Sequence, residues 1–320
     1  MAERAQSVVA LGGGHGLHAS LRALRGLVDD LVVDELSAVV TVADNGGSSG
    51  RLRGEFGVLP PGDLRMALAA LCGDDDWGVT WAKVLQHRFA GDGEMRGHVV
   101  GNLLIVSLWE LLGDHVQALD WVGRLLGASG RVLPMALNAL DIAAEVRGLV
   151  PADPRATTTV RGQVEVATTE GDIVSIRLEP EPVACPEAVA AIREADWVVL
   201  GPGSWFTSVL PHLVVPELRE ALVQTDARIL VVLNLGEQAG ETHGLAPEDH
   251  LAVLAEHAPG LKIHTVLADP SIVGDPDRLA AAAASYGADL VAAPVAMDDG
   301  SARHDVARLA AAYERILARD

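Results

Sequence analysis

Lysine is nearly absent from this chain. Lys83 and Lys262 are its two lysines in 320 residues, so arginine carries almost all of the positive charge. Lys plus Arg total 24 against 44 Asp plus Glu, for a formal net charge of −20. A field of that sign repels nucleic acid and anionic membrane surfaces, so neither is an expected partner. Any anionic ligand has to be met locally, by backbone dipoles and clustered arginines. Cysteine is as scarce. Cys72 and Cys185 lie far apart and outside any C-x-x-C pattern, which excludes a zinc ribbon and a disulfide framework and leaves two small interior thiols. Aromatics make up only 3%, so the core has to be built from Val, Leu and Ala. No apolar run reaches 18 residues without a charge, and no basic segment followed by a long apolar one opens the chain. The expectation is a cytoplasmic protein without a membrane-inserted segment.

What is present is a globular chain. Hydrophobic residues form 49% of it, which excludes wholesale disorder. Ser7 to Leu11 reads as a buried strand and stops at Gly12-Gly13-Gly14-His15-Gly16. Leu17, Leu21, Leu24 and Leu27 then recur at helical spacing, and Leu36 to Val42 reads as a second strand. Strand, glycine loop, helix and strand make a βαβ unit, which is right-handed almost by rule. Further helices are expected over Trp77–Gln86, Gly101–Leu112 (apolar nearly all round, hence buried) and Val116–Leu126. From 130 to 183 the pattern changes. Short strands at Val132, Ile142–Val146, Val164–Ala167 and Ile173–Leu178, punctuated by Gly and Pro, read as a small antiparallel insertion. Parallel-type strands return at Trp197–Leu200, Arg228–Leu233, Ile263–Leu267 and Leu290–Ala293, alternating with helices. The fold expected is α/β: a Rossmann-like, largely parallel sheet with helices on both faces, in one domain over 1–320 with the β insertion at about 130–183.

Chemistry concentrates in loops at strand ends. Gly12, Gly13, Gly14, His15 and Gly16 precede a helix, where backbone N–H groups and the helix dipole favour an anion. The pattern is neither G-x-G-x-x-G nor a P-loop, and a tight structural turn is the other reading. The second loop carries Asp44, Asn45, Gly46, Gly47, Ser48 and Ser49, then Arg51 and Arg53. Asp44 suits a sugar hydroxyl, a metal, a base edge or general-base work. The arginines suit phosphates or plain surface. Asp63, after Pro60-Pro61-Gly62, reads as a helix N-cap. The third loop holds Gly203, Ser204, Thr207 and Ser208. Three such loops at parallel strand ends point to one ligand cleft, because ligands of open α/β sheets bind at that edge. Glu237, Glu241 and His243 match no metal spacing, and no metal site is assigned. His98 and Asn102, one helical turn apart, either reach the cleft or are buried polar groups.

GGGHG, VTVADNGGSSGRLR, PPGDLR, GHVVGNLL, IREADWVVLGPGSWFTSVLPHLVVPEL, GETHG and Arg303-His304-Asp305 occur in this order. Together, over roughly 7–310, they resemble the YvcK or UPF0052 family, the "putative gluconeogenesis factors", and more distantly CofD, the 2-phospho-L-lactate transferase. The resemblance implies a Rossmann-like fold with a β insertion, a homodimer, and binding of UDP-sugars, notably UDP-N-acetylglucosamine. It also implies a role in central carbon metabolism, cell shape and cell-wall synthesis, with cell-wall synthesis proteins as partners. This chain departs from the family pattern at several points. His15 stands where Thr is usual, Asn45 where a second Asp is usual, and Val99-Val100 where Ser-Phe is usual. The Thr-Gln pair before GET is missing from Asn234-Leu-Gly-Glu-Gln-Ala. Val306 stands where some relatives carry Thr, so no hydroxyl is available for phosphorylation there.

Two functions follow as expectations. The first is a regulatory binding protein with a nucleotide-sugar diphosphate over Gly12–Gly16 and Gly203–Ser208, sugar or base held by Asp44, Asn45 and Asn102, and phosphate neutralised by Arg303. The second is a CofD-like phosphoryl or phospholactyl transferase in which Asp44 holds Mg²⁺ or activates a hydroxyl. Asn45, in place of a carboxylate, weighs against the second. A loosely bound NAD is a third, blander ligand.

Overall fold

The computed structural model describes residues 6–238 and 240–318. Ten strands run in chain order as β1 (Gln6–Gly12), β2 (Val33–Val40), β3 (Arg131–Pro134), β4 (Asp141–Arg147), β5 (Thr157–Arg161), β6 (Asp172–Glu179), β7 (Trp197–Leu200), β8 (Arg228–Val232), β9 (Thr265–Ala268) and β10 (Asp289–Ala292). Seven of them form one sheet in the order β10-β9-β8-β7-β1-β2-β3, and every pairing in it is parallel. The chain lays down β1, β2 and β3 toward one edge. It then returns to the centre and lays down β7 to β10 toward the other. The order therefore reverses between β1 and β7, and the loops leaving those two strands diverge to open a crevice.

The inner strands are buried on both faces, as covered parallel strands must be, which is why they read as unbroken apolar runs. Val8 to Leu11 and Trp197 to Leu200 are all buried. Helix α1 (Gly14–Asp29) buries the expected stripe of Leu17, Leu21, Leu24 and Leu27. Its Ser20 hydroxyl meets the Tyr313 hydroxyl at 2.8 Å, joining it to the last helix, Val306–Leu317. Then follow α2 (Gly47–Phe56), α3 (Gly62–Ala70), α4 (Asp76–Gln86), α5 (Val100–Leu112) and α6 (His115–Leu126). The α5 helix is not buried all round. Ile105, Val106 and Trp109 face the core, but Leu111 is 77% exposed, because α5 lies at the margin with only one packed side.

The insertion differs from its sequence reading in three respects. Val132 belongs to β3 and pairs with Ala38 of β2, so it extends the main sheet. The antiparallel sheet is β5-β4-β6 alone. Val164 to Ala167 is not a strand but part of a short helix, α7 (Gln163–Ala167). The third strand is instead β5, whose Thr157-Thr158-Thr159 stretch sits at the sheet edge with little burial and so lacks an apolar signal. Gly162, with φ of +102°, separates the two, a backbone value that glycine adopts without strain.

Candidate functional site

The glycine loop is shorter than its sequence suggested, because α1 begins inside it at Gly14. Close approach explains the glycines. A Cβ on Gly16 would lie 2.2 Å from the Pro202 carbonyl oxygen, and one on Gly13 would lie 2.6 Å from Asp63 Oδ2. The loops after β1 and β7 thus touch through bare backbone. The N–H of Gly14 donates to Asp63. Those of His15 and Gly16 make no hydrogen bond within the described residues and stay open to a ligand. The His15 side chain is exposed at the cleft rim.

After β2, the loop ends early. Ser48 and Ser49, read as loop residues, are buried in the first turn of α2, because Gly46 and Gly47 start the helix. Asp44 accepts the N–H of Gly46 at 2.8 Å and faces the cleft. Asp63 is the residue that sequence reasoning misplaced. It is the second residue of α3, whose N-cap is Pro61, and its carboxylate turns into the cleft toward Gly14. Burial first, and then the charge of Asp44, push it up to about 7. A second carboxyl group, Asp63, thus stands near Asp44 at the cleft although position 45 carries an amide. The signal was present in Gly62: a Cβ there would lie 2.4 Å from Ser49 Oγ and 2.8 Å from Asp44 Oδ2, so α3 starts in contact with this loop.

Several candidates are engaged elsewhere. Asn45 donates to Glu165 Oε2 at 2.9 Å and accepts the Val164 N–H at 3.1 Å, both on α7. Asn102 is buried, accepting from Arg65 Nε at 2.9 Å and donating to Ser48 Oγ at 3.1 Å, while His98 meets the same hydroxyl at 3.3 Å. Burial, then the charge of Arg88, lower Arg65 to about 10, against the pull of Asp63 and Asp44. Arg53 pairs with Asp141 at 2.8 Å, and Arg51 donates to the Arg96 carbonyl, so neither faces the cleft.

On the β7 side, Gly203, Ser204 and Ser208 line the cleft, but Thr207 does not. Its hydroxyl donates to Glu241 Oε1 at 2.6 Å, and the N–H groups of Phe206 and Thr207 reach Glu241 Oε2 at 2.8 and 3.3 Å. An internal carboxylate thus satisfies this helix start, and burial raises its pKa against those bonds. Asn234 exchanges two hydrogen bonds with the Gly203 backbone, at 3.0 and 2.8 Å. Arg303 is exposed and paired with Asp299 at 2.8 Å in its own loop, while its neighbours Ala302 and His304 line the cleft.

The resulting cavity is about 490 Å³. Asp44, Asp63, Met66 and Gln163 form its β2 side, and Asn234 to Gln238, Ala302 and His304 its β8 side. The glycine backbones of both central loops form its floor. Among the described residues, no lysine or arginine lines it, and no group of three or more His, Cys, Asp or Glu side chains would hold a metal by itself. Burial lowers His304 to about 4, so its imidazole is neutral near pH 7.

A doubly wound parallel sheet with a crevice at its strand-order reversal defines a Rossmann-like α/β protein. The model of the family described as 2-phospho-L-lactate transferase CofD matches residues 8–313, and this chain belongs to that family. It is 52% identical to a protein of Mycobacterium tuberculosis named "Putative gluconeogenesis factor", over 98% of this chain and 91% of that one. A protein of the same name from Lactococcus lactis is 40% identical over 81% of this chain and 76% of that one. A crystal structure of a UPF0052 family member from Bacillus halodurans superposes with a TM-score of 0.83 at 31% identity, covering 97% of this chain and 98% of that one. No helix among the described residues is long and apolar enough to cross a membrane.

Proposed function

We infer that this protein binds a nucleotide sugar of the UDP-N-acetylglucosamine type in the cleft, as a regulatory protein linking carbon metabolism to cell-wall synthesis and cell shape. The observation that carries the reading is the chemical asymmetry of the cleft about its glycine floor. The open N–H groups at the start of α1 suit a diphosphate. The β2 side, with two carboxylates and an amide, suits a hydroxyl-rich sugar. The β8 side, with Asn234, Leu235 and a neutral imidazole, suits a flat base. Arg303, exposed and one residue from two lining positions, is the guanidinium best placed to swing onto phosphate. The relatives' printed name supports the metabolic half of the reading. Calorimetric titration with UDP-N-acetylglucosamine tests it: saturable heat is expected, and none at millimolar ligand with folded protein rejects it.

The Asp44–Asp63 pair favours a second reading, a CofD-like phosphoryl or phospholactyl transferase. Mg²⁺ is commonly held by one or two carboxylates together with ligand phosphates, and these two residues fit that role. The ion would neutralise phosphate in an otherwise acidic cleft. With the ion on Asp44 and phosphate, Asp63 would be left as the carboxylate that takes a proton from an attacking hydroxyl. Incubation with activated phosphate donors, candidate acceptors and Mg²⁺, followed by mass spectrometry, separates the two. Turnover lost in Asp44→Ala with the fold intact establishes the enzyme.

A further inference from the structure

Among the described residues, the insertion reaches the cleft through Gln163, and Asn45 holds the helix start behind it. Gln163, the first residue of α7, lines the cleft, and its carboxamide makes no hydrogen bond within the described residues. Behind it, the side chain of Asn45 grips α7 at two points. Its oxygen accepts the Val164 N–H at 3.1 Å, one of the helix-start donors that no intrahelical acceptor can satisfy. Its nitrogen donates to Glu165 Oε2 at 2.9 Å. The packing is close on both sides. A Cβ on Gly162 would lie 2.0 Å from Glu165 Oε2 and 2.6 Å from Asn45 Nδ2, and one on Gly46 would lie 3.4 Å from Val164 Cγ2.

We propose that Gln163 is a specificity-determining residue that reads the sugar end of the ligand, and that Asn45 is the positioning residue that sets it in place. The proposal rests on the nucleotide-sugar reading for the identity of the ligand, but not for the clamp itself. Only an amide at position 45 performs both bonds. A carboxamide accepts and donates at once, whereas an ionised carboxylate would accept from Val164 and repel Glu165. Asn45 is therefore matched to Glu165. A free amide next to Asp44 and Asp63 offers both a donor and an acceptor to hydroxyl or acetamido groups. Its orientation depends on the first turn of a helix only five residues long, which is too short to hold itself.

The test uses Gln163→Ala, Asn45→Asp, Glu165→Gln and the double variant Asn45→Asp/Glu165→Gln, in the full chain. Amide exchange over 163–168 is read without ligand, and affinities for UDP-N-acetylglucosamine and for UDP are read by calorimetry. Gln163→Ala should weaken the sugar nucleotide about tenfold and leave UDP unchanged. Asn45→Asp should do the same and speed exchange of the Val164 amide at least tenfold. In the double variant the carboxylate introduced at position 45 accepts from both the Val164 N–H and the carboxamide introduced at position 165, so exchange and affinity should return to wild-type values. Unchanged Val164 exchange in Asn45→Asp, or failure of the double variant to restore it, overturns the clamp. Equal losses for UDP and the sugar nucleotide in Gln163→Ala overturn the specificity role. If the wild-type protein binds neither ligand, the nucleotide-sugar reading and the role of Gln163 fail together, and the exchange data alone decide the clamp.

Discussion

Asp63 sits beside Asp44 on the β2 side of the cleft, and burial together with that neighbouring charge pushes its carboxyl up to about 7. The folded protein thus holds this proton more tightly than the unfolded chain does. Its stabilising contribution is full below the ordinary carboxylate pKa near 4 and is lost as pH rises through about 7. Asp63→Asn keeps an acceptor for the Gly14 N–H and removes the titration. Thermal melts from pH 4 to 8 should show a flatter profile for the variant and a midpoint a few degrees higher at pH 8, roughly 1.5 °C per kcal/mol for a chain of this size. A wild-type and variant pair with parallel profiles would reject the raised carboxyl.

His212 has the opposite sign. It is fully buried, with Nδ1 3.2 Å from the Val209 carbonyl oxygen and Nε2 3.0 Å from that of Val39. Burial lowers it to about 4. The stability linked to the neutral ring is complete above pH 6.5 and is lost as pH falls through about 4. Wild-type protein should lose on the order of 3 kcal/mol over that interval from this group, and His212→Gln should lack that limb. Urea titrations at pH 6.5 and 4.5 measure it.

Two glycines two positions apart should respond differently. Alanine at Gly16 drives a methyl group into the Pro202 carbonyl and Gly203 Cα, so one backbone segment has to move. The expected cost is about 3 kcal/mol, with loss of ligand binding. At Gly14 the added methyl meets nothing within 4 Å, and the cost is that of φ at +59°, about 1 kcal/mol. Denaturant midpoints of the two variants check the order.

Glu241→Ala removes the acceptor of two backbone N–H groups and of the Thr207 hydroxyl. Hydrogen bonds to a buried carboxylate are worth about 1.5–3 kcal/mol each, and the orphaned donors stay buried. A loss of at least about 3 kcal/mol is expected, with Glu241→Gln milder because one amide oxygen still accepts. Equal stability of Glu241→Ala and wild type would show that the loop re-caps itself.

The sheet was legible because its inner strands are buried on both faces, and burial of that kind writes itself as runs such as Val39-Val40 and Val198-Val199. The glycine loops were legible for the same local reason. What escaped were side-chain directions set by distant partners. Beside Asp63, Gly62 marks a close backbone approach but does not say what α3 approaches, and nothing near Thr207 says that Glu241 fills its helix start. Asn102 and Ser48 look like ligand groups until Arg65 and His98 are placed beside them. The polar strand Thr157–Arg161 was missed because an edge strand with little burial has no apolar alternation to show.

The reversal of strand order has a mechanical consequence. The half-sheet of β1 to β3 and the half-sheet of β7 to β10 meet along a single seam, the four rungs from Val8–Trp197 to Leu11–Leu200. The cleft straddles the end of that seam, with Asp44 and Asp63 on one bank and Asn234 and His304 on the other. A molecule that grips both banks is a staple across the joint between two separately wound halves. Occupancy by such a molecule would couple to how firmly the sheet is held together at its centre, far from either edge.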